Sequence, residues 1–168
     1  MSINIYQRII ADAFDSKNWK YTSKSVSNEK TIFTINFESE ILDTLRCKIN
    51  IYDSGVCDID AIFPITCNEE HYRELSYYFT KYNCRKRYGT LRLDVEDGEI
   101  RNSYTFVFNN STTPKEFLKK FGFVKDINDS IIEDIVNICK MESEEKKDSS
   151  MAGQSVITDK NSKHKLSL

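Results

Sequence analysis

Between Tyr82 and Phe108 two alternating apolar runs flank an Asp97-Gly98 pair, and this stretch limits the possible folds more than any other. Asp-Gly favours a tight hairpin, because a type I′ turn needs positive φ at both central residues. A two-residue turn sets Glu96 opposite Glu99, Val95 opposite Ile100, Asp94 opposite Arg101 and Leu91 opposite Tyr104. Leu91, Leu93 and Val95 then share one face with Ile100, Tyr104 and Phe106, while the other face carries an Asp94–Arg101 pair. The requirement is a sheet with one oily side.

The same grammar appears upstream. Leu45, Cys47, Ile49 and Ile51 alternate with Arg46, Lys48 and Asn50; after Asp53-Ser54-Gly55, Cys57, Ile59, Ala61 and Phe63 alternate with Asp58 and Asp60. A three-residue connection with Gly55 in the left-handed region aligns Ile51 with Cys57, Ile49 with Ile59 and Lys48 with Asp60. A Lys48–Asp60 salt bridge is then expected on the polar face. Pro64 is expected to end that strand. Phe33, Ile35 and Phe37 mark another strand, and Trp19 to Val26 a weaker one.

Helical spacing takes over elsewhere. Tyr6, Ile9, Ile10, Ala13 and Phe14 predict a first helix over 3–15. Thr66-Cys67-Asn68-Glu69 has capping-box spacing ahead of Tyr72, Leu75, Phe79 and Tyr82, with His71 expected at the helix surface. Thr113-Pro114-Lys115-Glu116 opens a third helical stripe that runs through Phe117, Phe121, Ile131 and Ile138. Ser130-x-x-Glu133 offers a fresh start there, so one bent helix or two both fit. The order predicts an α+β domain over 1–141: one antiparallel sheet of five to six strands, with helices packed on one face. The opposite face, with Arg46, Lys48, Asp58, Asp60, Arg92, Asp94 and Arg101, is left to solvent or to a partner.

Composition matters for the tail and for charge. Residues 142–168 lose all periodicity and read as a disordered polar tail. Five acidic and five basic residues lie there, so the domain alone has the same formal charge as the whole chain, −2. That balance argues against a domain-wide nucleic-acid surface. The first residues lack a signal-peptide pattern, no apolar run is long enough to span a bilayer, and five cysteines have no secretory context. A cytoplasmic protein without membrane contact is expected.

The five glycines form neither a dinucleotide nor a P-loop fingerprint, and the two histidines, His71 and His164, do not suit zinc or a Ser-His-Asp triad. Cys47, Cys57, Cys67, Cys84 and Cys139 never reach C-x-x-C spacing; only Cys84 has cations beside it. Asp58 and Asp60 share a strand face as a catalytic pair would, but the expected cross-strand bridge accounts for them. No enzyme activity, metal or cofactor is expected. One cluster stands out, Lys81-Tyr82-Asn83-Cys84-Arg85-Lys86-Arg87-Tyr88, whose basic and aromatic residues interleave. Lys81, Arg85, Lys86, Arg87 and Tyr88 are candidate binding residues for a single-stranded nucleic acid or a phosphate ligand. Cations complementing a helix C-terminus are the plainer explanation.

Asn83, Gly89 six residues on, an alternating strand, and Asp97-Gly98-Glu99-Ile100-Arg101 before a second strand resemble the YbjN-like proteins. The resemblance spans roughly residues 3–140, with 82–108 carrying most of it; Arg85-Lys86-Arg87 departs from the more apolar or mixed link of that family. It implies the fold shared with type III secretion chaperones, with helices on one antiparallel sheet and frequent homodimers. It implies no enzyme activity and a regulatory or chaperone-like binding role. The reading from sequence is therefore a non-catalytic binding module that engages a protein partner through a helix or sheet surface.

Overall fold

A computed structural model describes residues 3–141; the polar tail expected over 142–168 lies outside them. Alternation and helical stripes resolve into α1 (Ile3–Asp15), β1 (Tyr21–Ser27), β2 (Lys30–Ser39), β3 (Asp43–Tyr52) and β4 (Val56–Thr66), followed by α2 (Tyr72–Asn83). Then come β5 (Thr90–Leu93), β6 (Glu99–Val107), α3 (Pro114–Lys125) and α4 (Asp129–Lys140). The six strands form one antiparallel sheet in the order β1-β2-β3-β4-β6-β5. Strand β6 thus inserts between β4 and β5, leaving β1 and β5 as the edges.

Strands β2 to β6 bury alternate apolar residues on one side of the sheet, while β1 is mostly exposed. Phe33 faces Ile49, Ile49 faces Ile59, and Ile59 faces Tyr104 across successive strands, so one continuous apolar surface forms. Helices α1 and α3 pack on that surface through Ile10, Phe14, Phe117 and Phe121, each fully buried. Phe14 sits at the junction, with ring centroids of Phe121, Tyr21 and Phe117 at 5.3, 5.4 and 5.7 Å. The predicted β3–β4 register holds throughout: Ile51 opposes Cys57 and Lys48 opposes Asp60. Gly55, at φ +84°, makes the connection as expected.

Several expectations need correction. The β5–β6 hairpin pairs Leu93 with Ile100 and Leu91 with Asn102, two residues away from the expected register. The loop is four residues long, not two: the Asp94 N–H donates to the Glu99 carbonyl at 2.8 Å, and the Gly98 N–H to the Asp94 carbonyl at 2.8 Å. Carboxylates hold it, Asp94 accepting from the Glu96 N–H at 3.1 Å and Asp97 from the Glu99 N–H at 2.9 Å. Val95 consequently lies in the loop, 65% exposed, instead of on the buried face. The Asp94–Arg101 pair survives diagonally at 3.3 Å, and Arg101 also meets Glu99 at 2.6 Å.

Pro64 does not end β4, which continues to Thr66; the proline sits where the pairing with β6 is irregular, between Ile62 and Thr66, so its missing N–H breaks no ladder. Thr66 is not a helix cap either. The Cys67 N–H donates to the Gly98 carbonyl at 3.0 Å, which keeps the chain extended, and a 3-10 turn at Glu69–His71 precedes α2. His71 is buried, 7% exposed, with Nε2 at 3.5 Å from Glu70. The third stripe is two helices. Thr113 caps α3 by accepting from the Glu116 N–H at 3.2 Å, and Asn128, not Ser130, caps α4.

Candidate functional site

Two surfaces bring chemistry-bearing side chains together, one on each side of the sheet. On the side without helices, alternation delivers Lys24 from β1 and Arg46 and Lys48 from β3 to a trough of about 600 Å³. Asp60, Glu99 and Arg101 line its other end. The expected Lys48–Asp60 bridge is absent among the described residues. Asp60 instead accepts from the Ser103 hydroxyl at 2.6 Å, and Asp58 from the Thr105 hydroxyl at 2.7 Å, both on β6. Arg101 is taken by Asp94 and Glu99. Asp97 also lines the trough and accepts from the Glu99 N–H at 2.9 Å. Asp60 and Asp97 are thus held by neutral donors and only Glu99 by a cation, whereas Lys24, Arg46 and Lys48 have no ion-pair partner among the described residues. Asn50, next in the same row, is 7% exposed with no hydrogen-bond partner for Oδ1.

The second surface is the basic cluster. Lys81 in the last turn of α2, with Arg85 and Lys86 just past its end, lines a groove of about 370 Å³ against Asn128, the cap of α4, and Ile131 within it. Tyr78 and Tyr82 form its aromatic wall. The Tyr78 hydroxyl donates to Asp134 at 2.8 Å; burial first, then this bond, pushes its pKa up. Lys86 Nζ lies 4.8 Å from the centroid of the Tyr82 ring, and Lys81 Nζ 5.6 Å from that of Tyr77. Arg87 and Tyr88, also candidates from sequence, do not line the groove. Tyr88 instead stacks on Phe123 with centroids 4.4 Å apart and an interplanar angle of 8°.

Asn83, the last residue of α2, holds this region in place. Its side-chain amide donates to the Leu91 carbonyl and accepts from the Leu91 N–H, both at 3.0 Å. A side chain thus supplies the neighbour that the edge strand β5 lacks, and ties the end of α2 to the sheet. Asn83→Ala should cost about 1–3 kcal/mol in urea unfolding, because both Leu91 groups lose their partner. A loss below a few tenths of a kcal/mol would show that the clamp is dispensable. Sequence reasoning missed a second asparagine, Asn102. At 2% exposure, it donates through Nδ2 to the Val124 and Phe123 carbonyls at 3.0 and 3.3 Å, closing the end of α3. A polar residue in the apolar parity of β6 was its one signal.

The remaining candidates are dispersed. Asp58 and Asp60 point to the open face, and His71 is packed at the start of α2. Burial pushes the Cys47 thiol up to about 12 and raises the Cys57 thiol well above its ordinary value, so both behave as small apolar groups. Cys84 is exposed past the end of α2. Among the described residues no group of three His, Cys, Asp or Glu side chains is placed to hold a metal ion. None of the helices described is long and apolar enough to cross a membrane. Compared with known proteins, the chain matches no family model and no curated protein.

Proposed function

We propose that the protein is a non-catalytic binding module, chaperone-like or regulatory, that holds an acidic segment of a protein partner against the open face of its sheet. One observation carries this reading: Lys24, Arg46 and Lys48 share an uncovered face and have no ion-pair partner among the described residues, while Arg101 beside them already pairs with Asp94 and Glu99. Four cations and three carboxylates line the trough, an excess of one positive charge, so a segment rich in Asp and Glu complements it. The resemblance to YbjN-like proteins supports the same kind of role, and it implies that the module works as a homodimer. Light scattering that returns 19.6 kDa at every concentration would remove the dimer from this account.

The test compares affinity capture by the wild-type chain, by Arg46→Glu/Lys48→Glu, and by Arg85→Glu/Lys86→Glu. The expected result is a protein retained by the wild type and the helix-side variant and lost from the sheet variant. Equal retention by all three would overturn the assignment of the face. Turnover in a substrate screen would overturn the non-catalytic reading.

A further inference from the structure

The basic groove between α2 and α4 lies on the helix side of the sheet, so the partner-binding face does not account for it. Complementing the dipole of α2 explains Lys81, which lies in its last turn. It accounts less fully for Arg85 and Lys86, which lie beyond Cys84, the C-cap, where attraction to the last carbonyls weakens with distance. None of the three cations has an ion-pair partner among the described residues. They also share the groove with two tyrosine rings, one of them pinned by its hydroxyl to Asp134.

We infer that this groove binds a compact phosphorylated ligand bearing a planar ring, a nucleoside phosphate. Arg85 and Lys86 supply the charge for the phosphate, and guanidinium geometry suits its oxygens. Tyr78 and Tyr82, both half-buried, line the groove with Ile131 and supply ring surface for stacking, Lys86 Nζ leaving its place 4.8 Å over the Tyr82 ring to meet the phosphate. Asn128 spends its Oδ1 on the Ser130 N–H and hydroxyl, at 3.0 and 2.9 Å, which leaves its Nδ2 as a donor at the rim. A volume of about 370 Å³ suits one small molecule. Extension along a strand is disfavoured by the residues that follow, since Asp129, Glu133 and Asp134 are exposed on α4 and would repel successive phosphates.

Calorimetric titration of the full chain at low salt, with AMP, inorganic phosphate and a single-stranded RNA oligomer, tests the assignment. AMP is expected to bind, and Arg85→Ala/Lys86→Ala to weaken it about tenfold or more, with far-ultraviolet circular dichroism unchanged because both side chains are exposed. Tyr82→Leu should weaken AMP while leaving phosphate unaffected. Arg46→Glu/Lys48→Glu, on the other side of the sheet, should leave AMP binding as it was. Absence of AMP binding, or equal binding by the Arg85→Ala/Lys86→Ala variant, would overturn the site. Phosphate binding as tightly as AMP would overturn the ring component, and RNA binding about tenfold tighter than AMP would overturn the compact ligand in favour of a strand.

Discussion

Phe14→Ala should destabilise the domain by about 3–5 kcal/mol, a large share of the roughly 5–15 kcal/mol that holds a domain of this size together. Phe14 is fully buried, and its ring meets Tyr21 and Phe33 from the sheet, Phe117 and Phe121 from α3, and Trp19 from the link after α1. Three of these contacts, with Phe33, Phe117 and Phe121, are edge-on, an arrangement favourable beyond the area it buries. Truncation opens a cavity where α1, α3 and the sheet meet, and three separate elements cannot collapse into it together. Phe14→Leu, which keeps most of the volume, should cost less than half as much. Urea unfolding decides it. A loss of about 1 kcal/mol or less for Phe14→Ala would mean that α1 is not anchored to the sheet as described.

Gly98→Ala should be the next most damaging change, at about 3 kcal/mol. Gly98 has φ +76°, and an added Cβ would run into the Cys67 carbonyl and come within 3.2 Å of the Tyr72 hydroxyl. The four-residue loop docks there on the link between β4 and α2, and the Cys67 N–H donates to the Gly98 carbonyl at 3.0 Å. Asparagine separates the two causes, because it tolerates positive φ but still carries a Cβ. Gly98→Asn should therefore remain severe, whereas Gly55→Asn should be milder, since its nearest neighbour is the Tyr6 hydroxyl at 3.0 Å and not a backbone carbonyl. Equal, small losses at both positions would show that the docking of the loop contributes little.

The parts of this architecture that local pattern determines were legible beforehand. The β3–β4 register follows from Gly55 and the match of apolar rows, and it holds to the residue. The β5–β6 register was misread by two, because a shift of two leaves every side chain on the same face and periodicity cannot detect it. Only the carboxylate caps of Asp94 and Asp97 distinguish a four-residue loop from a two-residue one. The delayed start of α2 and the burial of His71 depend on the contact between Cys67 and Gly98, thirty-one positions apart, which no window of sequence contains. The partners of Asp58 and Asp60 were missed for a similar reason. Their hydroxyls come from β6, and nothing local announces that β6, and not β5, lies beside β4.

The candidate surfaces divide in the same way. Lys81, Arg85 and Lys86 lie close together in the chain and were visible as a cluster, but Asn128 and Ile131, which close the groove, arrive from α4 more than forty residues later. Arg46 and Lys48 were placed on the open face by alternation alone. Their freedom from ion pairing could be recognised only once the hydroxyl partners of the acids were known.

The open face is tested most directly by titrating the isotope-labelled chain with a glutamate-rich peptide at low salt and following backbone amide shifts. Perturbations centred on β1, β3 and β4 around Lys24, Arg46 and Lys48, fading as salt is raised, are the predicted result. Shifts confined to the end of α2 and the start of α4, or none anywhere, would contradict it.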